Sequence, residues 1–348
     1  MSDAHLKVAP YELMERLPET LLTGCYDVPM VAGKNILWCS TLQLAWDHLG
    51  DYIGSDPDLE KSTITADSLN MHLVNADEID AGSHVAMAGI GREKIVERIQ
   101  AALIDKFGED VDTSLLPDPG AVGPIDLLAY AFLLKSMEFS TPFFDLDESI
   151  FVSSERTARS VKTFGYDPGR NDGDEAVLRQ ITIHHYVSRD EFIIELQTEI
   201  EQDHLIFARI PPAATLEETI RYACQLLTFG GDAVMPFDTD YPLTIPRLDF
   251  DITREFHEFI GIYLLNENFE EFVFQTVAQN IRFRLNREGA LLKSEAATFL
   301  VGSTEVETEP PSFNLCAPHL VLMLRDGAQN PYFALWQDNG ELCVPADK

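Results

Sequence analysis

The chain has 348 residues, 45% of them hydrophobic, and a formal net charge of −33 from 58 acidic and 25 basic side chains. That much apolar material builds a core and excludes a disordered chain. The charge excludes nucleic acid and anionic membrane as partners, because phosphate binding needs clustered Lys and Arg, and a solvated acidic surface is its plain explanation.

Met1 to Gly24 has no uninterrupted apolar core of the export-signal kind, since Glu12, Glu15, Arg16 and Glu19 punctuate it. No apolar run approaches the ~20 residues needed to span a bilayer. Five cysteines, Cys25, Cys39, Cys224, Cys316 and Cys343, are scattered without metal-ligand spacing. They read as small buried hydrophobes in a reducing compartment, so a cytoplasmic protein is expected. Cys39 and Cys343, beside Trp38 and Leu342, are expected to be at least partly buried and unbridged.

Leu13, Leu17 and Leu21 form one stripe, which predicts a helix over 11–22. Asn35 to Ser40 predicts a short strand and Thr41 to Leu49 a helix, with Leu42, Leu44, Ala45 and Leu49 toward a core. His84 to Gly91 and then Arg92 to Phe107 read as strand, turn and helix. Gly89 and Gly91 invite a dinucleotide reading, but Lys94 stands where the third glycine belongs. Leu127 to Leu134 reads as a buried strand. The prolines and glycines between Pro117 and Gly123 forbid a long helix before it. Pro168 at the first ligand position spoils an EF-hand register in the polar loop from Asp167 to Glu175. His184 and His185 are adjacent, so on a strand they point to opposite faces and cannot chelate one ion. No metal or cofactor is expected.

Phe192–Gln197 and His204–Ile210 predict successive strands, Leu216–Leu227 a helix, and Leu320–Leu324 with Tyr332–Trp336 a closing hairpin. Arg247 to Ile262 begins extended and, from Ile252, Phe256 and Ile260 at four-residue spacing, becomes a helix. Ile281, Phe283 and Leu285 alternate with Arg282 and Arg284 as in a half-buried strand. After the break at Asn286-Arg287-Glu288-Gly289, the segment up to Pro311 is too long for an ordinary connection. Read as a strand, its face with Ala290, Leu292, Ser294, Ala296, Thr298 and Leu300 carries no charge, while Lys293 and Glu295 fall on the other. A short helix from Ser294 to Leu300 fits the same residues.

Asn286-Arg287-Glu288-Gly289 followed by a small-residue run resembles the hinge of a serpin reactive-centre loop. The flanks agree. Ile245 to Asp251 resembles the family's strand before its late helix, and Phe313-Asn314 with Pro318 to Asp326 its C-terminal hairpin. Lys34 to Ser40 resembles the strand and buried helix under the main sheet, with Thr41 in place of the usual proline. Pro142 to Asp145 resembles a Pro-Phe-Asp strand lead. The resemblance runs from about Tyr11 to Val344 and implies one α+β domain over 1–348. Its large mixed or antiparallel central sheet would contain strands near His84–Met87, Leu127–Leu134 and Ile281–Leu285. Two smaller sheets, one holding the C-terminal hairpin, and surrounding helices would complete it, with the sheet-covering helix reduced or absent.

The resemblance also implies an exposed loop at 289–312 that baits a protease and, once cut, inserts as a strand. Its hinge positions are Glu288, Gly289, Ala290, Leu292, Ser294, Ala296, Ala297 and Thr298, and the bait bond falls among Val301, Gly302, Ser303 and Thr304. No Arg or Lys stands there to suit a trypsin-like pocket. Leu292 occupies an inward position usually held by alanine, Ala290 stands for a threonine, Gln279 for a histidine beneath the sheet, and Tyr130 or Ala131 for an asparagine. These departures favour a diverged, non-inhibitory monomer that meets a protease or other protein through the loop. The alternatives are an intracellular inhibitor of serine or cysteine proteases acting by loop insertion, and a nucleotide- or small-molecule-binding enzyme. A hydrolase would need a nucleophile motif, and the chain has no Gly-x-Ser-x-Gly elbow.

Overall fold

A computed structural model describes residues 11–14, 17–74, 76–109, 111, 113, 116–170, 174–227, 235–275, 277–291 and 311–346. The chain begins with a hairpin, β1 (Tyr11–Met14) and β2 (Leu17–Thr23), where a helix was expected. Pro18 is the reason: inside a helix it would remove a hydrogen bond and clash with the preceding turn. β2 runs parallel to β3 (Asn35–Cys39), and both Leu21 and Leu22 are buried. α1 (Thr41–Ile53) follows as expected. Leu42, Leu44 and Leu49 are buried, Ala45 only half so, and Trp46 fills the core beside it, donating from Nε1 to Asn70 at 2.6 Å.

After the short α2 (Ile64–Leu69), β4 (His84–Ile90) leads into α3 (Ile95–Phe107) and then β5 (Leu127–Leu133), antiparallel to β4. Among the described residues only the single turn Pro119–Ala121 lies where a covering helix could stand. β5 is therefore mostly half-buried, not the buried strand expected from its composition. Two residues later the chain resumes as β6 (Ser136–Glu138). β7 (Phe144–Val152) and β8 (Ala158–Tyr166) form a hairpin. Beyond the short α4 (Glu175–Leu178) come β9 (Ile181–Ser188), β10 (Glu191–Leu196) and β11 (Asp203–Arg209), an antiparallel meander, and α5 (Leu216–Leu226), capped by Thr215.

β12 (Met235–Pro236), β13 (Leu243–Pro246) and β14 (Leu248–Glu255) follow. The helix expected after Arg247 is absent, leaving one turn at His257–Phe259. Leu248, Phe250, Ile252 and Arg254 are buried, and Asp251, Thr253 and Glu255 face solvent. Of the four-spaced residues only Ile252 lies in β14; Phe256 is buried just beyond it and Ile260, after the turn, is 49% exposed, so they share no helical face. β15 (Ala278–Asn286), β16 (Gly289–Leu291), β17 (Phe313–Asn314), β18 (His319–Arg325) and β19 (Phe333–Gln337) complete the set.

The largest sheet has nine strands, in the order β1-β2-β3-β19-β18-β11-β10-β9-β12, and holds the C-terminal hairpin. Two four-stranded sheets run β17-β13-β8-β7 and β14-β15-β16-β6, and β4-β5 makes a two-stranded one. The central sheet expected to hold His84–Met87, Leu127–Leu134 and Ile281–Leu285 is thus divided. It breaks at Leu134-Lys135, where β5 gives way to β6, and the large sheet lies elsewhere. The main core joins the nine-stranded sheet to both four-stranded ones, while α1 packs on β4 and β5 with a second cluster around Trp46 and Phe259.

One face of the large sheet carries a polar chain. Glu195 accepts from His184 Nε2 at 2.9 Å and His204 Nδ1 at 2.7 Å, and His204 Nε2 meets Asp326 at 2.9 Å. Both ring nitrogens of His204 face carboxylates, which demands the imidazolium. Burial pushes His204 down, but the bonds to Glu195 and Asp326 outweigh it and raise its pKa to about 9. Burial likewise pushes Glu195 up, and its two histidines outweigh that and hold it at about 2. A raised folded-state pKa contributes stability that is complete below the unfolded value, near 6.5, and is lost as pH rises through 9. Thermal melts from pH 6 to 10 should therefore show a decline that His204→Gln flattens. At the acid end, burial pushes the enclosed His319 down to about 4, so its contribution falls as pH drops from 6.5 toward 4.

All five cysteines are free, with Cys39 and Cys343 buried as expected. Burial raises the thiols of both, and that of Cys316 to about 12. Thiol titration should count five groups after denaturation, with Cys39, Cys316 and Cys343 unreactive before it.

Candidate functional site

β15 alternates buried Gln279, Ile281, Phe283 and Leu285 with Arg282 and Arg284, as its sequence predicts. It then turns at Arg287-Glu288 and returns as β16, with Arg284 opposite Leu291, Leu285 opposite Ala290 and Asn286 opposite Gly289. The other edge of β16 pairs with β6, where Gly289 faces Glu138 and Ala290 faces Met137. The three residues after the break are therefore a strand bound on both sides. Ala290 is 1% exposed, in the main core.

The turn itself is fastened. The carbonyl of Glu288 accepts from Phe139 N at 2.9 Å, and that of Arg287 from Phe143 N at 2.8 Å. Asn286 caps the turn through Glu288 N at 2.8 Å. Asp145 faces the guanidinium groups of Arg247 and Arg287. Gly289 has φ +150°, and a Cβ there would lie 2.5 Å from the carbonyl oxygen of Met137 and 2.7 Å from Cα of Glu138. Glycine at 289 is thus required by the close approach of β6.

Sequence reasoning missed β6 and the group that holds it. Lys135, between β5 and β6, is buried, and its Nζ lies 2.5 Å from Asp203 on β11 and 3.9 Å from Asp80. Arg325 reaches Asp80 at 3.6 Å and Asp203 at 3.8 Å. The buried Tyr332 hydroxyl contacts Met137 Sδ at 3.7 Å. Burial first, and then the Asp203 charge, raise that hydroxyl well above its ordinary value. β6 is thereby tied to the nine-stranded sheet. The available signal was Lys135 itself, the one charge in the apolar run from Leu127 to Met137.

Of the predicted site residues, the structure brings Glu288, Gly289 and Ala290 together at this junction. Leu292, Ser294, Ala296, Ala297 and Thr298, and the bait candidates Val301, Gly302, Ser303 and Thr304, lie outside the described residues. Below Arg284, β15 pairs only with β14, and β5 only with β4, so among the described residues no backbone ladder joins β15 to β5. Gln279, in the predicted histidine position, donates from Nε2 to the Cys39 carbonyl at 2.9 Å and to Thr41 at 2.7 Å. Tyr130 faces the α3 cluster and is nearly buried, and Ala131 is half-buried.

The glycine pair at 89 and 91 serves packing. A Cβ on Gly91 would meet the Gly123 carbonyl oxygen at 2.0 Å, and β4 and β5 are antiparallel rather than a parallel nucleotide-binding unit. A cleft between α1 and the turn at 76–78 is lined by Asp47, Asp51, Asp77 and His48 and no Lys or Arg, a poor setting for phosphate. His184 and His185 diverge as expected, toward Glu195 and Glu191. Among the described residues no three His, Cys, Asp or Glu side chains could hold a metal.

The architecture is a mixed α+β fold with a large sheet, smaller sheets and few helices. No family model and no curated protein matches the chain. Solved structures do, and two of them are serpins. One is thyroxine-binding globulin in complex with thyroxine, at 14% identity and a TM-score of 0.41, covering 71% of this chain and 65% of that one, just under two thirds of its length. The other is native protease nexin-1 with heparin, at 10% identity and a TM-score of 0.47, covering 88% and 92%.

Proposed function

We propose that this is a non-inhibitory serpin-like protein that binds a protein partner through the segment joining β16 to β17. The observation that carries the reading is β16, whose three residues pair with β15 and β6 and whose turn is tied to Phe139 and Phe143. Loop-insertion inhibition needs a segment that enters the sheet faster than the cut ends are released. Here the root is already a strand, and continuing its alternation by sequence alone would make Leu292 the next inward residue. Forcing a larger side chain into a filled core costs about 1–3 kcal/mol, enough to slow entry. The reduction of the covering helix to one turn and Gln279 in place of histidine add to this. The reading takes the chain as one domain, monomeric and cytoplasmic, with no catalytic role.

One observation favours the inhibitory alternative: among the described residues β15 and β5 share no ladder, so a strand entering between them would break no backbone pairing. Incubation with a panel of serine and cysteine proteases separates the two. The proposal expects cleavage within 292–304 and no SDS-stable complex, and a covalent complex would overturn it.

A further inference from the structure

Residues 255–281 contain no Lys or Arg. Two pieces of this stretch, with a third at 58–60, build a small three-piece ribbon. Leu59 bridges Leu264 and Tyr263 bridges Val273, both antiparallel. Glu60 N donates to Tyr263 O at 2.9 Å, Leu265 N to Asp58 O at 2.8 Å, and Leu264 N to Phe272 O at 3.0 Å. Asn266, nearly buried, accepts from Asp58 N and donates to Ser55 and the Asp56 carbonyl, each at 2.8–2.9 Å, so the ribbon is preformed.

Side chains alternate across such a ribbon. Leu59, Leu264, Phe272 and Phe274 enter the cluster around Trp46 and Phe259. The other face then carries Tyr263 and Leu265, which are 45% and 49% exposed. The pairing sets the half-buried Val273 beside Tyr263. It sets Glu60 on the other side of Tyr263, and Asp58 and Glu271 on either side of Leu265, all three acids exposed. The result is an apolar centre whose rim holds three acids, with Lys61, exposed next to Glu60 in the chain, as the adjoining cation. A solvated acidic surface accounts for the rim but not for two large apolar side chains held out from a ribbon whose inner face is already packed. Exposed apolar groups ringed by polar ones mark interaction sites.

We propose that this ribbon face is a docking surface for a cationic protein segment bearing large apolar side chains. The apolar groups would cover Tyr263 and Leu265, with Tyr263 the rigid anchor. Lys or Arg would reach Asp58, Glu60 and Glu271, worth most at low salt. Anionic lipid and nucleic acid are repelled by the same rim. The surface does not depend on the reading of the β16–β17 segment.

The test uses the full chain and two synthetic peptides of equal length, one alternating Lys with Leu and one of Lys alone. The alternating peptide should bind more tightly. Tyr263→Ser/Leu265→Ser should weaken it about tenfold, equivalent to about 1.4 kcal/mol, while leaving the Lys-only peptide unchanged. Asp58→Asn/Glu60→Gln/Glu271→Gln should weaken both and flatten the salt dependence. The same number of neutralised acids at Glu97, Asp105 and Glu109 should not. Melting temperatures of all variants should stay near that of the parent, since the changed side chains are exposed. Equal binding of the two peptides, no effect of the double serine variant, or an equal effect of the control variant would overturn the proposal.

Discussion

Lys135→Met is expected to destabilise the protein by about 3–5 kcal/mol, the usual cost of leaving one partner of a buried ion pair alone. Asp203 has a fully buried side chain, and its carboxylate is balanced by the ion pair with Lys135 and, more distantly, by Arg325, with the buried Tyr332 hydroxyl beside it. Without Lys135 that charge is stranded in the core between β6 and β11. The double variant Lys135→Met/Asp203→Leu should regain most of the loss, because an apolar pair of similar volume removes the desolvation problem with the charges. Chemical denaturation of the three proteins decides it. A single variant as harmless as an exposed charge change would show that the pair does not hold β6.

Gly289→Val should release the root of the segment from β6. Its φ of +150° is strained for any L side chain, at about 1–3 kcal/mol. The added Cβ would also press on backbone atoms of Met137 and Glu138, which cannot swing aside like a side chain. The expected result is a lower melting temperature together with fast amide exchange at Ala290 and Leu291, while the amides of β10 and β11 stay protected. Unchanged exchange at Ala290 would mean that β6 accommodates the side chain.

Much of the fold was legible where one periodicity was unambiguous. β15 stands where its alternation puts it, because one buried face fixes the pattern, and β10, β11, β18 and β19 stand where short apolar runs bounded by polar turns put them, being buried on both faces. Two segments misled for one reason: a spacing of four can run across more than one element, as Leu13 and Leu17 lie on the two strands of a hairpin, and of Ile252, Phe256 and Ile260 only Ile252 is in β14. Pro18 and the alternation of Asp249, Asp251 and Thr253 with buried residues were the deciding signals. The division of the central sheet could not be read, because it depends on the two residues Leu134-Lys135 and on a partner at Asp203 that is distant in sequence. At the candidate site, Glu288 to Ala290 were legible as a turn and a small buried residue. β6 was not, because three residues carry no period.

Cleaving the segment between residues 292 and 304 with a nonspecific protease, and then melting the nicked protein beside the intact one, tests the central claim most directly. If β16 is a fixed root that leads no further strand into the sheet, the two melting temperatures should agree within a few degrees and no protease should remain attached. A rise of tens of degrees, with a covalent protease complex, would mean that the cut segment enters between β15 and β5 as a full strand, and would contradict the account.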